Sequence, residues 1–378
     1  MLIQIHILQN YAPANLNRDD TGAPKDAFFG GYRRGRISSQ CLKRSIRKSS
    51  TFTEAFKESG LLGIKTKGLP DLIGEQLNEL KVDDESKMVI LARVPEIGKE
   101  SKKRGEGETS DTEEESEVEE KSETRQLIFI GINELRPLAE KLLTEYYRLG
   151  AREWKKAKIG DITRALGSSL PRSVDIALFG RMTTSAAFED VQAAAQVAHA
   201  ISTNTLTQEF DYYTAVDDIS GESGAGMIGD VEFNSSTYYK YLNIHWEGLV
   251  NNLGGDIEVA RQAVLALLEA ATTAQPTGKQ NSFAAFNLPD LVLVEVTQKN
   301  LPVSYTNAFI KPARASGDQS VMDASFAKLG DYLKRVTQTF NLDGKRAFTS
   351  TQDYSLPAAE SKPSMNDLKK WLDTQLPR

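Results

Sequence analysis

The chain has 378 residues, 40% of them hydrophobic, with a formal charge of −6. That length and composition fit a water-exposed globular protein of two or three compact units. One cysteine, Cys41, excludes an internal disulfide and a cysteine-based zinc site, and no run approaches the roughly 18 apolar residues of a membrane span.

In chain order, MLIQIHILQ reads as a first strand with no basic leader before it, so the expected location is the cytoplasm. The next segment has a charge balance unlike the whole chain. Residues 1–50 hold nine Lys or Arg against three acids, Asp19, Asp20 and Asp26, a net +6. A glycine turn at Gly30–Gly31 leads to the basic YRRGR, and Ser38 or Ser39 can cap the following helix. At 100° per residue that helix places Gln40, Lys43, Arg44 and Arg47 on one side, with Leu42 and Ile46 opposite. Arg and Lys mixed with serine, amide and aromatic side chains suit a phosphate backbone. Phe28, Phe29 and Tyr32 are candidates for stacking on bases.

Helices are expected at 70–80 and 134–147. Between them, residues 99–125 carry six basic and eleven acidic residues with Val118 the only large apolar one. Such a segment cannot offset its ordering entropy and is expected to be a mobile acidic loop. SVDIALFGRM reads as a short strand, and EDVQAAAQVAHAIS as a helix with Val191, Ala194, Val197, Ala198 and Ile201 on one side. Runs at 210–216 and 231–245 predict a long hairpin. Helices at 258–273, 321–340 and 366–376 and a central strand at 291–296 complete an α+β pattern.

The chemical motifs exclude more than they offer. Gly224, Gly226 and Gly229 spell G-x-G-x-x-G, but a strand-like run follows where a dinucleotide site needs a helix, so a hairpin tip is expected. Gly278–Lys279 lacks the rest of a phosphate loop. His6, His199 and His245 are scattered, without metal-ligand spacing. Asp19, Asp20 and Asp26 are expected to pair with neighbouring cations, a divalent-ion site being the alternative. No constellation for catalysis emerges.

NLNRDDTGAPKDAFFGGYRRGRISSQCLKRSIR (15–47) resembles the N-terminal signature of CasC-type backbone subunits, of the RAMP superfamily, in the type I-E CRISPR Cascade complex. VDIALFGRM, QVAHAIS, FDYYTAVDD, TGKQNSFAAFN and DLVLVEV resemble the same family in the same order, across nearly the whole chain. The acidic 99–125 stretch departs from the pattern. The resemblance implies an RRM-like (ferredoxin-like) palm from 1–60, 166–209 and 234–378. It also implies a helical fingers insertion at 61–165 and a β-hairpin thumb at 210–233. The implied function is a non-catalytic, cofactor-free scaffold for antiviral defence. Copies would polymerise head-to-tail on a guide RNA, kink it at intervals and present it to target DNA, beside other Cascade subunits and a separately recruited nuclease. Implied guide contacts are Asn17, Arg18, Lys25, Arg33, Ser38, Gln40, Lys43, Arg44 and Arg47, with Lys279 as a further phosphate contact. Met182 would prop the kinked RNA, core packing being its other reading. Val216, Met227 or Ile228 would wedge between bases. The alternatives are metal-dependent RNA cleavage through Asp26, as in related type III backbone proteins, and a general RNA chaperone.

Overall fold

The computed structural model describes residues 1–98, 124, 127–158, 162, 172–183, 188, 190–216, 218–219 and 223–378. Apart from Thr124, the acidic stretch 99–125 thus lies outside the described residues. The fold is α+β, in two compact units. The first comprises Met1–Ala55, Ala195–Glu247 and Ala260–Arg378, the second Phe56–Ala194 and Gly248–Val259.

In chain order the strands are β1 (Leu2–Ala14), β2 (Asp26–Phe29), β3 (Tyr32–Ile37), β4 (Gly63–Thr66), β5 (Ile128–Gly131), β6 (Ala195–Val197), β7 (Ala200–Ser202), β8 (Glu209–Val216), β9 (Ser223–His245), β10 (Leu291–Thr297), β11 (Lys345–Ser350) and β12 (Glu360–Ser361). The helices are α1 (Ser39–Lys48), α2 (Ser50–Phe56), α3 (Leu69–Glu79), α4 (Asp84–Leu91), α5 (Ile132–Lys156), α6 (Val174–Phe179), α7 (Trp246–Asn252), α8 (Ile257–Thr273), α9 (Gln280–Phe283), α10 (Val321–Phe340) and α11 (Met365–Gln375).

The first unit is built on one sheet in the order β12-β11-β10-β1-β9-β7-β3-β2, with β6 and β8 also paired to β9. β1 lies inside it, antiparallel to β10 (Leu2↔Thr297 to Leu8↔Leu291) and to β9 (Leu2↔His245 to Tyr11↔Ser236). A strand covered on both faces needs an almost unbroken apolar run, and from Leu2 to Gln9 every residue is buried. The polar members of that run find partners inside, except His6 Nε2, which is buried without a hydrogen bond. Gln4 Oε1 accepts from Tyr241 Oη at 2.7 Å, and His6 Nδ1 lies 2.7 Å from Tyr239 Oη. Burial, helped by the Arg346 charge, lowers the His6 pKa to about 3, so this ring is a neutral core residue. One core cluster joins Leu8, Leu291, Leu293 and Phe348 to Met322, Leu329 and Leu333 of α10. A second packs Tyr11, Leu16, Ile37 and Tyr238 on Leu42 of α1.

The second unit packs α3, α4 and α5 around Leu69, Ile73, Leu77, Ile90, Leu138 and Trp154, with the ribbon β4–β5 beside them. α5 is longer than its sequence pattern suggests and breaks at Gly150, whose φ of 75° no helix residue adopts.

Three elements differ from their sequence reading. SVDIALFGRM forms α6, not a strand. Ser173 and Asp175 hydrogen-bond at its start (2.8 Å), and Gly180 at φ 80° ends it. Five consecutive buried residues, Val174 to Leu178, have no period that separates a buried helix from a buried strand. The expected helix at 189–202 is instead the strands β6 and β7. Its alanine-rich run takes its conformation from β9 alongside (Ala195↔Ile244, Ile201↔Tyr239), a tertiary override of propensity. The glycine motif at 224–229 is not a loose tip but paired strand. Gly229 faces Tyr213, whose hydroxyl would lie 2.5 Å from any Cβ built there.

Candidate nucleic-acid interface

α1 begins where the sequence placed its cap. Ser38 Oγ accepts from Cys41 N at 3.2 Å, while Ser38 N donates to Asn17 Oδ1 at 2.8 Å. One predicted contact residue therefore fixes another. Leu42 and Ile46 are buried, each contributing about 1.5–3 kcal/mol of burial. That anchors the opposite face outward: Gln40 and Arg44 are exposed, Lys43 and Arg47 half-exposed. Partial burial lowers the Lys43 pKa. Arg47 and Lys48 close the last turn with no acid in the first, so these cations also complement the helix dipole.

The loop before it is held by its own acids and amides. Asp19 Oδ1 accepts from Thr21 N and Ala23 N, both at 3.0 Å, and from the Thr21 hydroxyl, which lowers the Asp19 pKa. Lys25 N donates to Asn17 O at 2.8 Å. From the far side Gly278 presses on the loop, since a Cβ there would lie 2.4 Å from Leu16 O. That contact brings Lys279, half-exposed at φ 51°, next to it. The result is an open groove of about 540 Å³ whose lining includes Asn17, Arg18, Asp19, Asp20, Arg44, Ser45 and Gly278.

Asn17, Arg18, Ser38 and Arg44 thus converge on one groove or its immediate support. Lys25 lines a smaller pocket with Asn17 and Arg36. Arg33 stands apart: it pairs with Asp26, and its Nη1 donates to Gln208 at 2.8 Å. Met182 belongs to the second unit and is 91% exposed, so core packing is not its role. Backbone bonds between Arg181 and Val191 (3.0 and 2.7 Å) hold it out. Val216 and Met227 lie in β8 and β9, but their side chains fall outside the described residues; Ile228 is exposed.

The structure adds residues that the sequence did not single out. His199 Nδ1 accepts from Ser39 N at 3.3 Å at the start of α1, and Arg36 Nη1 lies 3.4 Å from the same nitrogen. Desolvation and the Arg36 and Lys25 charges lower its pKa. Arg34, one of the nine early cations, is buried and donates to the carbonyls of Ser202, Thr203 and Phe309 (2.9, 2.8 and 2.6 Å). It ties the fold together and is no phosphate ligand.

Lys240, on β9 beneath α1, is buried with its ammonium on Gln9 Oε1 (2.5 Å) and Tyr11 Oη (3.0 Å). Burial lowers its pKa to about 7. Its unfolded value is near 10.4, so between about pH 7 and 10 the unfolded chain binds one more proton than the native one. Stability must rise with pH across that window, by up to about 1.4 kcal/mol per unit. Lys240→Met is expected to flatten this rise in urea unfolding measured at pH 7.5, 8.5 and 9.5. An unchanged slope would mean that Lys240 does not titrate there.

No helix among the described residues is long and apolar enough to cross a membrane. No curated protein sequence matches the chain. A chain in a solved structure described as a CRISPR RNA-guided surveillance complex, pre-nicking, is similar at 28% identity. The match covers 99% of this chain and 100% of that one, with a TM-score of 0.78. A second, from a CRISPR RNA-guided surveillance complex, shares the fold at 24% identity and a TM-score of 0.69, covering 99% and 100%. The model of the CRISPR-associated (Cas) family described as CT1975-like protein matches residues 3–373, and the chain belongs to that family.

Proposed function

We propose that this protein is the non-catalytic backbone subunit of a type I-E, Cascade-like surveillance complex in the cytoplasm. It binds the sugar-phosphates of a CRISPR guide RNA, polymerises along it head-to-tail, kinks it at regular intervals and presents the intervening bases to target DNA. The observation that carries this reading is the convergence of Arg18, Arg44 and Asn17 on one open groove beside the cationic face of α1. Its support is the full-length likeness to a subunit of an RNA-guided complex. In this reading α1 grips phosphates, and the ribbon β8–β9 and Met182 shape the RNA path. Sequence choice belongs to base pairing and not to the protein, and cutting of the target belongs to a separate nuclease. An RRM-like palm is supported by the order β10-β1-β9-β7, with α1 lying between β1 and β7 in the chain and α8 between β9 and β10.

Purified with its partner subunits, the protein is expected to carry RNA of one defined length. A smear of lengths would favour a general RNA chaperone. The remaining rival is magnesium-dependent cleavage through Asp26. The ion pair of Asp26 with Arg33 favours a structural role for that carboxylate. Regularly spaced cuts in complementary RNA, lost in Asp26→Ala, would overturn the scaffold reading.

A further inference from the structure

Three polar side chains stand in a row on a buried face of the main sheet. The register Gln4↔Glu295 and Glu295↔Arg346 puts one each on β1, β10 and β11, with the carboxylate in the middle. Directly opposed residues share a face, and all three are buried. Burying such groups costs free energy unless they are hydrogen-bonded. Their protein partners do not use up what they offer. Gln4 Oε1 accepts from Tyr241 Oη at 2.7 Å and from Val303 N at 2.8 Å, so its amide N–H groups are left without an acceptor among the described residues. Glu295 Oε1 takes the Tyr305 hydroxyl at 2.6 Å and lies 3.1 Å from Arg346 Nε, which leaves Oε2 open. Arg346 makes that one ion pair and no aligned hydrogen bond among the described residues, so the ends of its fork are donors without acceptors.

All three line one cavity of about 60 Å³. At about 10–15 Å³ for each water-sized probe that is room for roughly four waters, or about 120 Å³ of liquid, the size of one six-membered ring with its substituents. The walls are apolar, from Leu301, Val303, Phe340 and Leu342. Small-molecule sites have this make-up of apolar walls and a few convergent polar groups. One guanidinium balances one carboxylate on the floor, so a further charge would be desolvated there without a partner, and the floor suits a neutral ligand.

The order across the floor is donor, acceptor, donor. Its complement is acceptor, donor, acceptor, the O=C–NH–C=O edge of a planar cyclic imide. Uracil and thymine carry that edge. Cytosine has an acceptor where the central donor is needed, and guanine has a donor where the third acceptor is needed. We propose that this cavity binds a uracil-type base, as the free base or its nucleoside, with N3–H on Glu295 Oε2 and the two carbonyls on the Gln4 amide and the Arg346 fork. A ribose then points away from the floor to the mouth, where Lys299 and Asp343 are exposed. Gln4 and Ala14 are ten residues apart on β1, roughly 33 Å at 3.3 Å per residue, and the α1 groove begins just past Ala14. The cavity is therefore separate from the groove proposed for guide RNA and does not depend on it.

Calorimetric titration of the purified chain with uridine tests this, with cytidine and N3-methyluridine as controls. Uridine is expected to bind at least tenfold more tightly than either, because a site of hydrogen-bonding groups rejects an analogue that leaves them unpaired. Arg346→Met removes one donor, and Leu301→Trp fills the cavity from a half-exposed wall position. Each is expected to lower uridine affinity at least tenfold. Leu301→Trp keeps the Glu295–Arg346 pair, so it reads the site even if Arg346→Met fails to fold. Titration with saturating guide RNA present separates the two sources of the base, a free nucleoside and a residue of an RNA strand. Uridine affinity is expected to be unchanged there. Competition by the RNA would put uridine in the guide path and overturn the proposal. Equal affinity for the three nucleosides, parent-like affinity in Leu301→Trp, or no saturation by about 10 mM uridine would overturn it too. If the chain binds no RNA, the proposed function fails, and the uridine titrations still decide this site.

Discussion

Lys43→Ala with Arg47→Ala is expected to weaken guide binding about tenfold at physiological salt and to leave target choice unchanged. Each phosphate neutralised on a single strand contributes about 0.7 to the log–log salt slope, so losing two contacts should make the slope shallower by about 1.4. Neither cation is one of the buried anchor residues Leu42 and Ile46, so the substitutions keep that apolar pair in place. Titrations between 0.05 and 0.5 M salt read the slope directly. A variant that kept the parent's slope, or that weakened binding to some base sequences only, would show that α1 does not hold the backbone.

Glu134→Ala is expected to destabilise the second unit by about 3–5 kcal/mol. Glu134 is buried at the start of α5, where its Oε2 accepts from Gly131 N and from Arg181 Nη1, both at 2.7 Å. Removing it leaves a guanidinium in a low-dielectric site without its carboxylate. The melting temperature of that unit should fall by about 10 °C, at 2–4 °C per kcal/mol. Glu134→Gln with Arg181→Met removes both charges and should recover most of the loss, because two apolar or neutral groups do not carry the desolvation cost. A melt unchanged in Glu134→Ala would show that the pair contributes nothing net. Because Arg181 also bonds Val191 through its backbone, loosening this pair should reduce RNA crosslinking at Met182.

The sequence made α1 legible for a local reason. Its cap, its apolar pair and its cations lie within eleven residues and obey one period, so nothing distant is needed to read them. The long helices α8 and α10 and the strand β10 were legible for the same reason. α6, β6 and β7 were not. A short buried run such as Val174 to Leu178 has no solvent face to set a period, and an alanine-rich stretch with low intrinsic preference becomes strand when β9 offers it backbone partners.

Among the site residues, local order again marks the boundary. Composition and spacing determined that residues 15–48 present a cationic surface, that one side of α1 carries it, and that a long hairpin exists. Only the tertiary structure decided which cations reach that surface. Arg34 is spent on carbonyls of residues some 170 and 275 positions away, and Asp26 occupies Arg33. Likewise, only a contact more than 250 residues distant brings Gly278 and Lys279 to the loop. Lys240 and His199 join the site because antiparallel pairing places β9 beneath α1 and β7 beside β3. Short-range periodicity is written in the chain, whereas such long-range neighbours follow from which strands pair, and that depends on how the whole core closes.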